Sequence, residues 1–122
     1  MKTIKKWRKT QHMNIKKNDP VEATLELIGG KWKPLIIWHL TDKTMRFNEL
    51  KKSLPNVTQK MLTQQLREME YHGLIYRKVY AQVPPKVEYS LTELGKSLLP
   101  FLEIMCQWGT NYLKNLKDKE ED

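Results

Sequence analysis

Five side chains between Thr58 and Gly73 are of the kinds that meet a hydrogen-bonding, anionic surface: Gln59, Lys60, Thr63, Gln64 and Arg67. An amide offers a donor beside an acceptor, a guanidinium offers a fork of donors, and an ammonium offers charge. Their spacing places all five on one side of a helix, while Met61, Leu62, Leu66 and Met69 recur as an apolar stripe on the other. No carboxylate interrupts the polar side until Glu68. Gln65 falls beside the apolar stripe and reads as an interior amide. Thr58 is placed to cap the helix, because its hydroxyl can accept from a first-turn backbone N–H, and Gly73 suits the position just past its end. An ordinary solvated helix face is the competing reading, and the flanking elements decide between the two.

Those elements are legible in both directions. After Gly73, Ile75, Arg77 and Val79 alternate with Tyr76, Lys78 and Tyr80, and Val87, Tyr89 and Leu91 alternate likewise beyond the breaker at Pro84 and Pro85. This pattern predicts two strands joined by a short loop. Before Thr58, a short helix over residues 46–53 turns Phe47 and Leu50 inward. Leu54, Pro55 and Asn56 then form a turn, since proline fixes φ and asparagine tolerates tight backbone geometry. A short helix, a turn, a longer polar-faced helix and a pair of strands is the order of a winged helix-turn-helix. The fold class expected is therefore α+β, mainly α with a small β-wing.

Nearer the N-terminus, Asp19 can cap and Pro20 can open a helix carrying Val21, Leu25 and Ile28, which Gly29 and Gly30 stop. Pro34 can start the next helix, through an apolar run to Leu40 that reads as interior and too short to span a membrane. His39, inside that run, reads as structural. Residues 41–44 form a polar turn. At the far end Thr92 can cap a last helix through Leu98, Leu99, Leu102, Met105, Trp108, Tyr112 and Leu116, which Pro100 either kinks or divides. That apolar face is longer than a small domain can cover, and a second copy of the chain is the simplest cover.

The 122 residues suit one domain, and a net charge of +8 favours an anionic partner such as nucleic acid or a membrane surface. The boundaries expected are a basic arm over residues 1–18, the folded domain over 19–117 and a charged tail over 118–122. The arm has a signal peptide's positive charge without its apolar segment, so it is expected to remain. It is either a phosphate-touching arm or a frayed terminus. Cys106 is the single cysteine, which excludes an intrachain disulfide and fits a reducing cytoplasm. On an apolar helix it reads as a buried structural thiol. His12, His39 and His72 lie in three separate segments, with no metal-ligand spacing, no glycine-rich phosphate loop and no nucleophile set beside a base. Neither enzymatic chemistry nor a cofactor or metal is expected.

Several linked stretches resemble the HxlR-type family of bacterial winged-helix regulators: PVEATLELIGGKWK from Pro20 to Lys33, RFNEL from Arg46 to Leu50, TQKMLTQQLR from Thr58 to Arg67, and VPPKVEY from Val83 to Tyr89. Thr92 to Gly95 and the pair Trp108 and Gly109 agree, so the resemblance runs from Asp19 to Gly109. It implies a dimeric DNA-binding protein that acts as repressor or activator at promoters. The first and last helices would build the dimer, and the wing tip near Val83 to Lys86 would reach a neighbouring groove or backbone. Many members carry a cysteine just before the stretch that begins at Pro20. This chain has Asp19, whose carboxylate cannot form a disulfide, so thiol sensing is not expected at that position.

Roles follow for duplex DNA as partner. With the helix over residues 58–71 in the major groove, Gln59 and Gln64 suit adenine edges and Arg67 guanine or phosphate. Lys60 suits either, and Thr63 a methyl group. Lys31, Lys33, Arg46, Thr58 and Lys86 are expected on the backbone, with the wing over residues 81–86. Val21, Leu25, Ile28, Leu102, Met105, Trp108 and Tyr112 are expected between two copies. A small-molecule effector could sit near Trp32 and Trp38. The rival from another class is a winged-helix module whose polar helix meets an acidic protein.

Overall fold

The computed structural model describes residues 19–121, so the basic arm lies outside the described residues. Helix α1 (Pro20–Ile28) opens as its sequence dictates: the Asp19 carboxylate accepts from the Glu22 N–H at 3.1 Å and Pro20 occupies the first turn. Gly30, at φ +81°, turns the chain into α2 (Trp32–His39). That helix begins before Pro34, which is tolerated because a first-turn residue has no intrahelical acceptor for the N–H it lacks. Ile36, Ile37 and Leu40 are buried, whereas Leu35 and Trp38 are exposed. The apolar run is thus not wholly interior, because one helix offers one stripe to the core. His39 is half-buried at the end of α2.

A strand that the alternation did not predict, β1 (Met45–Arg46), precedes α3 (Phe47–Ser53). The Arg46 N–H donates to the Glu49 carboxylate at 2.8 Å, which caps α3 at the point where β1 ends. The turn beyond α3 buries Leu54 and Val57 on either side of Asn56, which adopts φ +76°. Then come α4 (Gln59–Tyr71), β2 (Ile75–Tyr80), β3 (Lys86–Leu91), α5 (Glu93–Lys96) and α6 (Leu99–Glu121). The sheet is antiparallel with order β1-β3-β2, Met45 lying opposite Tyr89 and Ile75 opposite Leu91. Pro100 stands in the first turn of α6, so the last apolar segment is divided at Ser97 and Leu98 rather than kinked.

One core unites these pieces. Leu62, Leu66 and Met69 of α4 pack with Ile36, Ile37, Leu50, Leu74 and Ile75. The exit of α4 is closed by its own backbone: the Gly73 N–H donates to the Glu70 carbonyl at 3.0 Å and the Leu74 N–H to the Met69 carbonyl at 2.9 Å. This closure requires a left-handed residue, and Gly73 supplies φ +76°. Thr92 is buried against the same turn. Its hydroxyl donates to the Gly73 carbonyl at 2.5 Å and accepts from the Gly95 N–H at 3.0 Å. Helix α5 therefore abuts the end of α4 so closely that a Cβ on Gly95 would lie 2.1 Å from the Leu74 carbonyl oxygen.

Gly95→Ala should lower stability by about 1–3 kcal/mol, as overpacking against backbone does. Urea denaturation checks this, and an unchanged midpoint would show that α5 moves away freely.

Candidate nucleic-acid interface

Helix α4 is held at both ends and along one side, which leaves the other side free. Thr58 accepts the Met61 N–H at 3.0 Å. Leu62, Leu66 and Met69 are buried, and Gln59, Lys60, Gln64 and Arg67 are exposed together on the opposite side. Thr63 is half-buried and its hydroxyl donates to the Gln59 carbonyl at 2.8 Å, so the hydroxyl is committed to the helix backbone. Met61 is exposed at the edge of the stripe. Gln65 donates to the Met61 sulfur at 3.6 Å and is half-buried rather than interior.

Lys33 does not stand where a phosphate contact would need it. Its ammonium lies 2.5 Å from the Glu68 carboxylate, and both side chains are about nine-tenths buried. The ion pair ties α2 to α4, and it explains why the first carboxylate of α4 appears where it does: Glu68 points at α2, away from the polar face. Among the other cations assigned to the backbone, Lys31 is exposed with its ammonium 4.7 Å from the centre of the Trp32 ring. Arg46 is exposed at the end of β1.

Lys86 is half-buried on the wing, 3.7 Å from the Glu88 carboxylate and 4.7 Å from the centre of the Tyr80 ring, which Lys78 also approaches at 4.8 Å. Glu88 sits opposite both Arg46 and Lys78 in the sheet. A hydrogen bond from Tyr80, then the charges of Lys86 and Arg46, hold its carboxyl below the usual 4.5 despite partial desolvation. A lowered folded value means that this contribution is present above pH 4.5 and is lost as pH falls through the lowered value. Arg77, Lys78 and Glu88 carry no motif that marks them for such a site. Strand alternation together with the pairing register is the signal that brings them to the site.

The segments assigned to the dimer divide between two environments. Val21 (71% exposed), Leu25, Met105, Trp108 (69%) and Tyr112 are open to solvent, and so are Phe101, Ile104, Leu113 and Leu116 on α6. Trp108 and Tyr112 stack with ring centres 5.4 Å apart. Ile28 and Leu102, at 6% and 4%, belong to the core, because they fall on the inward sides of α1 and α6. Cys106 is exposed, not buried, since α6 has left the body of the domain at that point. Trp32 is half-buried against the core, and Trp38 is exposed.

A helix-turn-helix whose second helix shows an amide-and-guanidinium face, followed by a β-hairpin wing, defines a winged helix-turn-helix protein. The HxlR-like helix-turn-helix family model matches residues 27–117, and the chain belongs to that family of transcriptional regulators. It is 58% identical over 101 residues to the HTH-type transcriptional regulator YtcD of Bacillus subtilis (strain 168), covering 83% of this chain and 80% of that protein. The crystal structure of YtcD superposes with a TM-score of 0.76 over 79% of this chain and 98% of that one. The redox regulator HypR in its reduced form, 51% identical, superposes with a TM-score of 0.77 over 82% and 99%. A MarR-family regulator from Porphyromonas gingivalis W83, 38% identical, does so with 0.75 over 78% and 93%.

Removing either member of the Lys33–Glu68 pair leaves a buried charge without its partner. Lys33→Met and Glu68→Met should each cost about 3–5 kcal/mol, and the double substitution should recover most of the loss. A double-mutant cycle by chemical denaturation reads this. Additive losses would mean that the two groups do not interact in solution.

Proposed function

We propose that the chain is a sequence-specific regulator that binds promoter DNA in the cytoplasm as a homodimer. The exposed apolar surfaces of α1 and α6, around Val21, Leu25, Met105, Trp108 and Tyr112, pair with those of a second copy. A two-fold axis then presents two copies of α4 to one duplex, in major grooves about one helical turn, ~34 Å, apart. Gln59 and Gln64 meet adenine edges, Lys60 a base or a phosphate, and the Thr63 methyl a thymine methyl. Lys31, Arg46, Lys86 and the N-terminus of α4 at Thr58 face phosphates, and the wing tip over residues 81–86 lies against adjacent backbone or minor groove. For Lys86 this means exchanging or sharing its contact with Glu88.

The observation that carries this reading is the division of α4. Leu62, Leu66 and Met69 commit its apolar side to the core, with Met61 left at the edge, while both cations on its outer side, Lys60 and Arg67, are free of ion pairs among the described residues. A face required only to be wetted has no need to exclude carboxylates from its centre.

Gln64→Ala should lower affinity for the selected site by about 1–3 kcal/mol and relax the preference at one base pair. Selection from a random duplex pool checks this, and an unchanged consensus would remove Gln64 from base reading. Trp108→Glu should shift the protein from dimer to monomer in sedimentation equilibrium. A wild-type protein that is already monomeric at micromolar concentration would overturn the pairing.

A further inference from the structure

Between α4 and the sheet lies a cleft of about 370 Å³, with Thr63, Arg67 and Glu70 on the helix wall, Arg77 on the strand wall, and Phe47 and Tyr89 among the other lining residues. Arg77 reaches it by register. It lies opposite Tyr89 and shares its strand face with Ile75, both of which are buried toward the helices. Arg67 enters from the polar side of α4, so two arginines from different elements line one volume. Neither is in an ion pair among the described residues, and Glu70, on the same lining, is in none either. The Thr63 hydroxyl is already committed to the Gln59 carbonyl. Two cations against one carboxylate leave the cleft with a net positive charge.

Two like charges facing a shared space repel, and an oxyanion between them turns repulsion into two charge-assisted contacts. Guanidinium forks match phosphate oxygens in geometry as well as in charge. The cleft opens beside the outward face of α4. When a helix ~10–12 Å across occupies a major groove ~12 Å wide, the groove's bordering phosphates flank it. We propose that the cleft is an oxyanion site, filled in the complex by one backbone phosphate of the duplex held between Arg67 and Arg77. This rests on the duplex-binding reading above, and of the two contacts that suit Arg67, guanine or phosphate, it takes the phosphate. Glu70 opposes the same phosphate and holds down affinity for duplex of any sequence.

The test compares wild type, Arg77→Gln and Glu70→Gln in full-length form. Each is titrated with the selected duplex and with a random one across a range of KCl concentrations. Arg77→Gln should weaken both duplexes alike, several-fold, and lower the log–log salt slope by about 0.9, the value for one phosphate. Glu70→Gln should strengthen both, an opposite sign that damage to the fold would not produce. An unchanged affinity and slope for Arg77→Gln overturns the site, as does a loss confined to the selected duplex. A second arm titrates inorganic phosphate into the DNA-free protein and follows the arginine side-chain resonances by NMR, with chloride at matched ionic strength as control. Shifts there combined with unchanged duplex binding by Arg77→Gln would make this a free-anion site and overturn the duplex assignment. A wild-type protein that binds no duplex would instead sink the duplex-binding reading itself, with the phosphate titration still reporting on the cleft.

Discussion

The ion pair between Lys33 and Glu68 governs how α4 is presented. Two charges that leave water together regain little net stability, because the cost of desolvation is comparable to their attraction. What they do supply is direction. An apolar stripe made of Leu62, Leu66 and Met69 tolerates rotation of the helix by part of a turn, since leucine and methionine side chains repack. A buried carboxylate that must meet one ammonium tolerates much less. With Glu68 facing α2, the angular position of Gln59, Lys60, Gln64 and Arg67 follows from helix geometry. The hydrogen bonds around Gly73 and Thr92 then fix where β2 leaves the helix, and so where the wing stands relative to it.

Much of this was legible because local chemistry and global fold agree. Asp19, Thr58 and Thr92 each cap the helix that follows them, as their types and positions predict. Gly73 and Asn56 take the positive φ values that their turns require, and the period-2 alternation marks both long strands. The winged helix-turn-helix architecture needs little more than these signals. What stayed hidden has physical reasons. A strand of two residues, Met45–Arg46, is too short to show any period. A lysine reads the same in sequence whether it ends in water or, like Lys33, on a carboxylate inside the protein. Ile28 and Leu102 are as apolar as Leu25 and Trp108, so composition does not separate the core side of a helix from the side left open. Cys106 illustrates the same ambiguity in reverse.

The two exposed helices and the polar face of α4 bear on one requirement. A single winged domain presents one short surface, and the few side chains on one face of α4 could specify few base pairs. Doubling that surface through a two-fold axis lengthens the site without lengthening the protein, and the uncovered apolar length of α6 is where such doubling would be anchored. In the proposed complex, cations on the sheet and beside α2 would add affinity for any duplex, while Glu88, paired with Lys86, and Glu70, on the cleft lining, would offset part of it. Discrimination in that complex would then rest on the amides of α4.

Hydroxyl-radical footprinting of a selected duplex tests this arrangement most directly. Two copies of α4 on one duplex should protect two tracts related by a two-fold axis, with centres separated by about one helical turn, 10–10.5 base pairs. A single protected tract, or protection with no such symmetry at saturating protein, would contradict the paired insertion of two recognition helices.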